Sequence, residues 1–415
     1  MATLGLHQGE PFTLSDNDRR QHFYQIGATG VGKSGLLDNM IAGDLNEGSP
    51  VIVIDPHGSL ATKLAERIPT RRAQQLRYID LSDRSRSIAL PFITGARTND
   101  ERSVVTENAV AAFVHTWDDK AIGDRSQDVL RYSIRAAMEV DGTLLTVRRM
   151  LSDAPYREDI VRRLQHPKAD PLARLFWLRD FPEEDERRRE DWISPIRNKL
   201  NATLTPPLLR ILSQRKPSFD IQTIMDEGQI LIVNLAIGSV GEIPARIFGS
   251  LLVSAITQAA FKRGPRSPLC FMYVDEFQKV ITPAFTTILA EARKYNLALI
   301  LANQTLSALP HELASSILAN VGGVMAFRCG REDAEIMQKH MASPRLQLPE
   351  MIQNLPNFSA YGRFVRNGNT TDALRIETLP PPKPISNGRN LIQNSVLKFG
   401  KDRAEIEENI LGFLG

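Results

Sequence analysis

The chain has 415 residues, 42% hydrophobic and 24% charged, with 51 basic against 48 acidic side chains. That composition excludes a disordered chain, a collagen-like repeat and a small disulfide-stapled scaffold, and the length fits two to three domains of about 100–200 residues each. A formal charge of +3 leaves nucleic-acid contact open, because a basic channel can be local while the total stays near zero.

The two cysteines, Cys270 and Cys329, each sit inside an apolar run, so they read as reduced, buried residues of a cytoplasmic protein. The first ten residues lack the basic and apolar regions of a signal peptide. No window approaches the roughly 18 uncharged apolar residues of a membrane span. The longest apolar run, over 247–261, contains Ser250, Ser254, Thr257 and Gln258 and reads as a core helix.

Residues 1–21 read as a short lead-in, with Arg19 and Arg20 just ahead of the first strand. The apolar residues Phe23, Tyr24 and Ile26 predict that strand. It breaks into Gly27-Ala-Thr-Gly-Val-Gly-Lys-Ser34, and a helix follows with Leu36, Leu37, Met40 and Ile41. This is G-x-x-x-x-G-K-[ST] in the strand–loop–helix context that the motif requires. Gly27, Gly30 and Gly32 allow conformations that a Cβ would obstruct. The backbone from Gly27 through Ala28, Thr29, Gly30, Val31, Gly32, Lys33 and Ser34 to Gly35 can then cradle phosphate oxygens at the helix N-terminus. Lys33 would reach the β and γ phosphates of ATP, and the Ser34 hydroxyl would hold Mg²⁺.

Pro50-Val-Ile-Val-Ile-Asp55 is an apolar run ending in Asp-Pro-His-Gly, as a strand buried on both faces of a parallel sheet requires. A helix over 60–67 and a short strand near 76–79 continue the α/β alternation. From 99 to 220 the periodicity is helical, with helices predicted over 104–116, 126–139, 143–151 and 170–177. Trp117, Trp177 and Trp192 lie in this block and read as core aromatics, and the mixed-sign run 183–191 reads as a solvated helix face.

Strand signals return at 229–235, 269–274, 297–302 and 322–327, separated by helices that include 243–262 and 285–294. Helices over 331–341 and 348–353 follow, then an antiparallel pair over 359–365 and 373–378, a stiff proline-rich stretch at 380–384 and a final helix over 403–413. The fold class is therefore α/β: a RecA-like P-loop domain with a mostly parallel sheet. It is split into residues 1–95 and 223–380 by an all-α insertion over 96–222, and residues 381–415 form a linker and terminal helix.

The strand over 269–274 ends in Asp275 and Glu276. At a strand tip facing a phosphate loop, the first acid can hold the Mg²⁺ shell and the second can polarise the attacking water. The pair favours a hydrolase over a small-molecule kinase. Gln304, at the end of the next strand, is placed either to sense the γ-phosphate or as an ordinary loop amide. Arg293 closes a helix at the edge opposite its own phosphate loop. It is either a cation favourable to a helix C-terminus or a residue that reaches a neighbouring subunit's ATP.

Gly27–Ser34, Asp55-Pro-His-Gly58, Tyr273-Val-Asp-Glu-Phe-Gln278, Glu291-Ala-Arg-Lys-Tyr295, Ala302-Asn-Gln304 and Phe327-Arg-Cys-Gly-Arg-Glu-Asp-Ala-Glu335 occur in order. Together they resemble the HerA/FtsK superfamily over about residues 20–380, and most closely the ATPase part of conjugative type IV secretion coupling proteins. The resemblance implies a hexameric ring with ATP at subunit interfaces, DNA held without sequence preference in a central channel, and a helical module inserted in the nucleotide domain. It implies that Arg293 is a finger acting in trans, that Gln304 faces the γ-phosphate, and that Asp55 is an acid near the site. A relaxase, secretion or nuclease protein is the implied partner. The phosphate loop begins at residue 27, so neither the membrane helices of coupling proteins nor the β-barrel of HerA is expected before it, and Ser59 stands where relatives often have an acid.

The resulting expectation is a cytoplasmic, ring-forming ATPase that translocates DNA, with 238–244 and the module's arginines as candidate channel elements. The alternatives are a HerA-type ATPase working with a nuclease in defence or repair, and a secretion or assembly ATPase without DNA.

Overall fold

The computed structural model describes residues 1–117, 122–281, 283–307, 309–341 and 348–415. The chain divides into two compact units. One comprises Met1–Asp80, Asp220–Leu235 and Ile256–Ser395, and the other Leu81–Phe219, Ala236–Ala255 and Val396–Gly415. The helical unit thus takes in more chain than residues 96–222, including the C-terminal residues.

In chain order the strands are β1 (Ala2–His7), β2 (Glu10–Leu14), β3 (Phe23–Ile26), β4 (Val51–Asp55), β5 (Leu76–Asp80), β6 (Arg86–Ile88) and β7 (Ile230–Asn234). Then come β8 (Cys270–Val274), β9 (Leu297–Asn303), β10 (Gly323–Phe327), β11 (Ser359–Arg366), β12 (Asn369–Thr370), β13 (Leu374–Glu377) and β14 (Gly400–Asp402). Among the described residues the first unit holds one sheet of order β2-β1-β13-β11-β10-β3-β9-β8-β4-β7-β5, with β12 beside β11. The strands from β10 to β5 along that order are parallel, and β11, β13, β1 and β2 add an antiparallel flank. Every residue of β3, β4, β7, β8, β9 and β10 is buried. Both faces of these strands are thus covered, which is why the segments read as continuous apolar runs instead of alternating ones.

Residues 1–21 are a correction. They form the β1–β2 hairpin and a short helix, Asp16–Arg19, capped by Ser15 in a reciprocal Ser15–Asp18 box. The turn at Gln8-Gly9 has both residues at positive φ, +53° and +85°, but Gln-Gly is a weaker turn signal than Asn-Gly. The tail holds a second correction: a helix over Gly388–Phe399 precedes the expected one, found at Arg403–Leu414. Its Asn390, Gln393, Asn394 and Ser395 obscure the helical pattern. Tertiary contact compensates, since Leu391 and Ile392 pack on the sheet's core and the Ser395 hydroxyl bridges Tyr78 N–H and Leu76 C=O. In the helical unit Trp177 is buried as expected, whereas Trp117 and Trp192 are half-buried beneath Lys199 and Arg125. The helix Glu242–Phe261 has the length and hydropathy of a membrane span, yet 78% of its most apolar window is buried within the protein. Both cysteines are free and buried, and burial pushes each thiol pKa up to about 12.

Arg19 anchors the phosphate-loop side of the sheet. Its guanidinium has no solvent exposure and is forked onto Asp44 at 2.7 and 3.0 Å, stacked 3.9 Å above the Phe271 ring, while Tyr273 donates to the same carboxylate. Removing one member of such a pair strands a buried charge, whereas replacing both with apolar groups does not. Arg19→Met is therefore expected to cost about 3–5 kcal/mol in urea unfolding, and Arg19→Met with Asp44→Leu and Tyr273→Phe to recover most of it.

Candidate functional site

The parallel register brings the strand tips to one edge. Ile26 pairs with Asn303, Val274 with Leu301, and Ile54 with Val274, so Gly27, Gln304, Asp275 and Asp55 all emerge at the same carboxyl edge. The phosphate-loop strand and the acidic strand have β9 between them.

The loop is close-packed on one side and open on the other. A Cβ on Gly27 would lie 2.6 Å from Phe327 Cβ, whereas Gly30, at φ +80°, faces open space. The Ala28 N–H donates to the Arg328 carbonyl at 2.8 Å, tying the loop to the end of β10. Ala28, Thr29 and Gly30 are exposed, Val31 is buried, and Gly32 caps the helix Lys33–Glu47, whose first turn contains Ser34 and Gly35.

Lys33 lies back against its own loop, donating to the Gly27 and Ala28 carbonyls at 2.6 and 2.8 Å. Burial lowers its pKa, against the pull of Asp275 and Glu276. The Ser34 hydroxyl donates to Asp275 Oδ2 at 3.3 Å. Burial raises the Asp275 pKa; the neighbouring Asp55 and Glu276 charges add to this, and the Glu276 N–H and Lys33 oppose it. A hydroxyl and a carboxylate converging on one point are the hard oxygen donors that suit Mg²⁺.

Glu276 stands at φ +40°, a left-handed conformation costly for a residue with a Cβ. Its two carboxylate oxygens are separately held: Oε1 accepts from Gln304 Nε2, and Oε2 lies 2.9 Å from His57 Nε2. Gln304 thus contacts the acid directly. Asp55 is buried and accepts from the N–H groups of His57, Leu60 and Ala61 at 2.8–2.9 Å, so it organises the turn that presents His57. Gly58 in that turn, at φ +83°, passes so close to Asn234 at the tip of β7 that a Cβ would meet its side chain at 2.4 Å.

The structure brings Lys33, Ser34, Asp275, Glu276, Gln304 and Asp55 together and places Arg293 elsewhere. Arg293 lies in the turn Ala292–Tyr295 before β9, and its carbonyl accepts from Arg20 Nε at 3.2 Å, just ahead of β3. The seven residues of β9 separate that edge from Gln304 by about 20 Å. The Arg293 side chain is exposed and makes no hydrogen bond or ion pair among the described residues.

His57 was within reach of sequence reasoning, since it sits in the Asp-Pro-His-Gly turn that marked Asp55. The Arg328 carbonyl and Asn234 carry no sequence signal, because only the sheet order places them here.

At the Arg293 edge, His22 accepts a hydrogen bond at Nδ1 from Leu299 N–H at 3.0 Å, and its Nε2 is buried. Burial pushes its pKa down to about 4 from an ordinary 6.5, opposed by a hydrogen bond to the Leu289 backbone and helped by the Arg293 charge. The folded state keeps this imidazole neutral while the unfolded state protonates below about pH 6.5. Its contribution is therefore present above pH 6.5 and is lost as pH falls toward 4, up to about 3 kcal/mol. Urea titrations at pH 7 and pH 5 should show this slope in the native chain and a reduced one in His22→Asn.

A family model described as "Helicase HerA, central domain" matches residues 11–257, more than half of the chain. No curated protein sequence matches significantly. Among solved structures, the plasmid coupling protein TrwB in complex with a non-hydrolysable ATP analogue superposes with a TM-score of 0.67 at 17% identity, covering 94% of this chain and 92% of that one. TrwB with ADP and Mg²⁺ gives 0.66 at 17% identity, covering 94% and 92%. VirB4 of Thermoanaerobacter pseudethanolicus gives 0.62 at 14% identity, covering 93% and 98%. These likenesses show a P-loop ATPase fold, and the family match shows that this chain belongs to the helicase HerA central-domain family.

Proposed function

We propose that this chain is the subunit of a hexameric, Mg²⁺-dependent ATPase ring that moves DNA through its centre. The observation that carries the reading is the division of charge. Lys33, Ser34, Asp275, Glu276 and Gln304 meet at one edge, and no arginine hydrogen-bonds to their side chains among the described residues. The unpaired guanidinium of Arg293 stands at the opposite edge. A hydrolase site of this kind needs a cation on the γ-phosphate in the transition state. A neighbouring subunit supplies it.

In this reading Lys33 leaves the Gly27 and Ala28 carbonyls for the β and γ phosphates, which replace the acceptors that it gives up. Ser34 and Asp275 hold Mg²⁺, which offsets the charge of those phosphates. Glu276 takes the proton of the attacking water. Gln304 and His57, already on its two oxygens, orient the carboxylate, so that arrival of a γ-phosphate near Gln304 is felt by the base. Ring formation and DNA as the track are supported by family membership and by the likeness to TrwB, itself described as a conjugative coupling protein. Contacts to the phosphate backbone, not to base edges, would give the grip.

Arg293→Ala should lower ATP turnover by roughly 10³- to 10⁵-fold while leaving equilibrium binding of ATP nearly unchanged. Native turnover should rise with DNA, and the rise should shrink steeply between 50 and 200 mM salt, as counterion release requires. Parallel loss of binding and turnover in Arg293→Ala would contradict the trans role, and turnover indifferent to DNA would favour a secretion or assembly ATPase.

A further inference from the structure

Phe358 is 55% exposed and is the one aromatic ring among the exposed large apolar residues described. It is also held at φ +66°, where a residue with a Cβ is disfavoured. Three contacts fix it there. Its N–H donates to the Val31 carbonyl at 2.8 Å, and its carbonyl accepts from Thr378 N–H and Oγ1 at 2.8 and 3.1 Å. Its ring lies against Gly32, where an added Cβ would come within 3.1 Å of Phe358 Cδ1. An aromatic face is thus pinned to the phosphate loop and left open to solvent.

Sheet order says what that face meets. From the acidic tip the strands run β8, β9, β3, β10, β11. Phosphates lying on the loop at the end of β3 extend toward Asp275 and Glu276 on the β8 side. The remainder of a nucleotide therefore leaves the loop on the β10–β11 side, where Phe358 immediately precedes β11. The strap after β13 closes the same side: Asn39 Nδ2 donates to the Leu379 and Pro380 carbonyls at 3.1 Å, and Pro381 Cγ would be 3.9 Å from a Cβ on Gly35. The neighbouring amide of Asn357 is engaged by Arg328 at 2.9 Å. The exposed aromatic surface offered here, among the described residues, is the ring.

We propose that Phe358 is the nucleobase platform of this site, stacking on the base of the bound nucleoside triphosphate while the loop holds its phosphates. This rests on the nucleotide reading above. Aromatic–base stacking is tolerant of base identity, because every base has a π-face.

The test compares ATP with inorganic tripolyphosphate, which carries the phosphates and no base, by calorimetry with Mg²⁺ on the full chain. Phe358→Ala should weaken ATP roughly 5- to 100-fold and leave tripolyphosphate unchanged. Phe358→Trp should restore ATP affinity, with fluorescence quenched by ATP but not by tripolyphosphate, after subtraction of the response of the native chain. Unchanged ATP affinity in Phe358→Ala overturns the proposal, and equal loss of both ligands shows a brace for the loop and overturns it too. A native chain that binds neither ligand would instead overturn the nucleotide reading itself.

Discussion

Everything at this site follows from the register of the parallel strands. Because Ile26, Asn303, Leu301, Val274 and Ile54 lock side by side, the loop, two acids, an amide and the Asp55 turn arrive at one edge. The backbone hydrogen bonds that set this register lie among fully buried residues, where leaving them unmade is expensive. Position is thus paid for by the core and not by the site. That leaves the site free to hold groups that repel: Asp55 and Glu276 both press on Asp275, Lys33 is the ammonium that Asp275 and Glu276 share, and burial raises the cost of the Asp275 charge. On the proposed reading, a cation and phosphates arriving together would each offset what the other leaves uncompensated.

The backbone is distorted where this edge is built. Glu276 and Phe358 both occupy left-handed conformations without being glycine, each at the first residues beyond or before a strand tip. Distortions of about 1–3 kcal/mol per residue persist only where surrounding contacts over-determine them. For Glu276 those contacts are Gln304 and His57, and for Phe358 they are Val31 and Thr378. Phe358 borders the phosphate loop directly, and Glu276 stands across β9 from it.

How much was legible in the chain depended on whether a signal was local. Glycine spacing, apolar runs ending in acid, and the contrast between strand-like and helical periodicity are short-range, so the phosphate loop, Asp275, Glu276 and the α/β class could be read directly. The N-terminal hairpin was missed because Gln8-Gly9 is a weak turn signal and its strands are stabilised only by joining the far end of the sheet through β13. The helix Gly388–Phe399 was missed because its polar residues hide an apolar pair that matters only against the sheet's core. His57 on Glu276 and the Arg328 carbonyl on Ala28 are products of strand order, which connects residues far apart in the chain and leaves no trace in spacing.

On the proposed reading, the guanidinium of Arg293 in one subunit acts on the ATP of the next. Mixing Lys33→Ala subunits with Arg293→Ala subunits tests it most directly, because each is inactive alone by a different defect. Mixed rings should regain turnover, at interfaces where an intact Lys33 site meets an intact Arg293. Mixtures as dead as their parts, under conditions where the subunits demonstrably co-assemble, would contradict it.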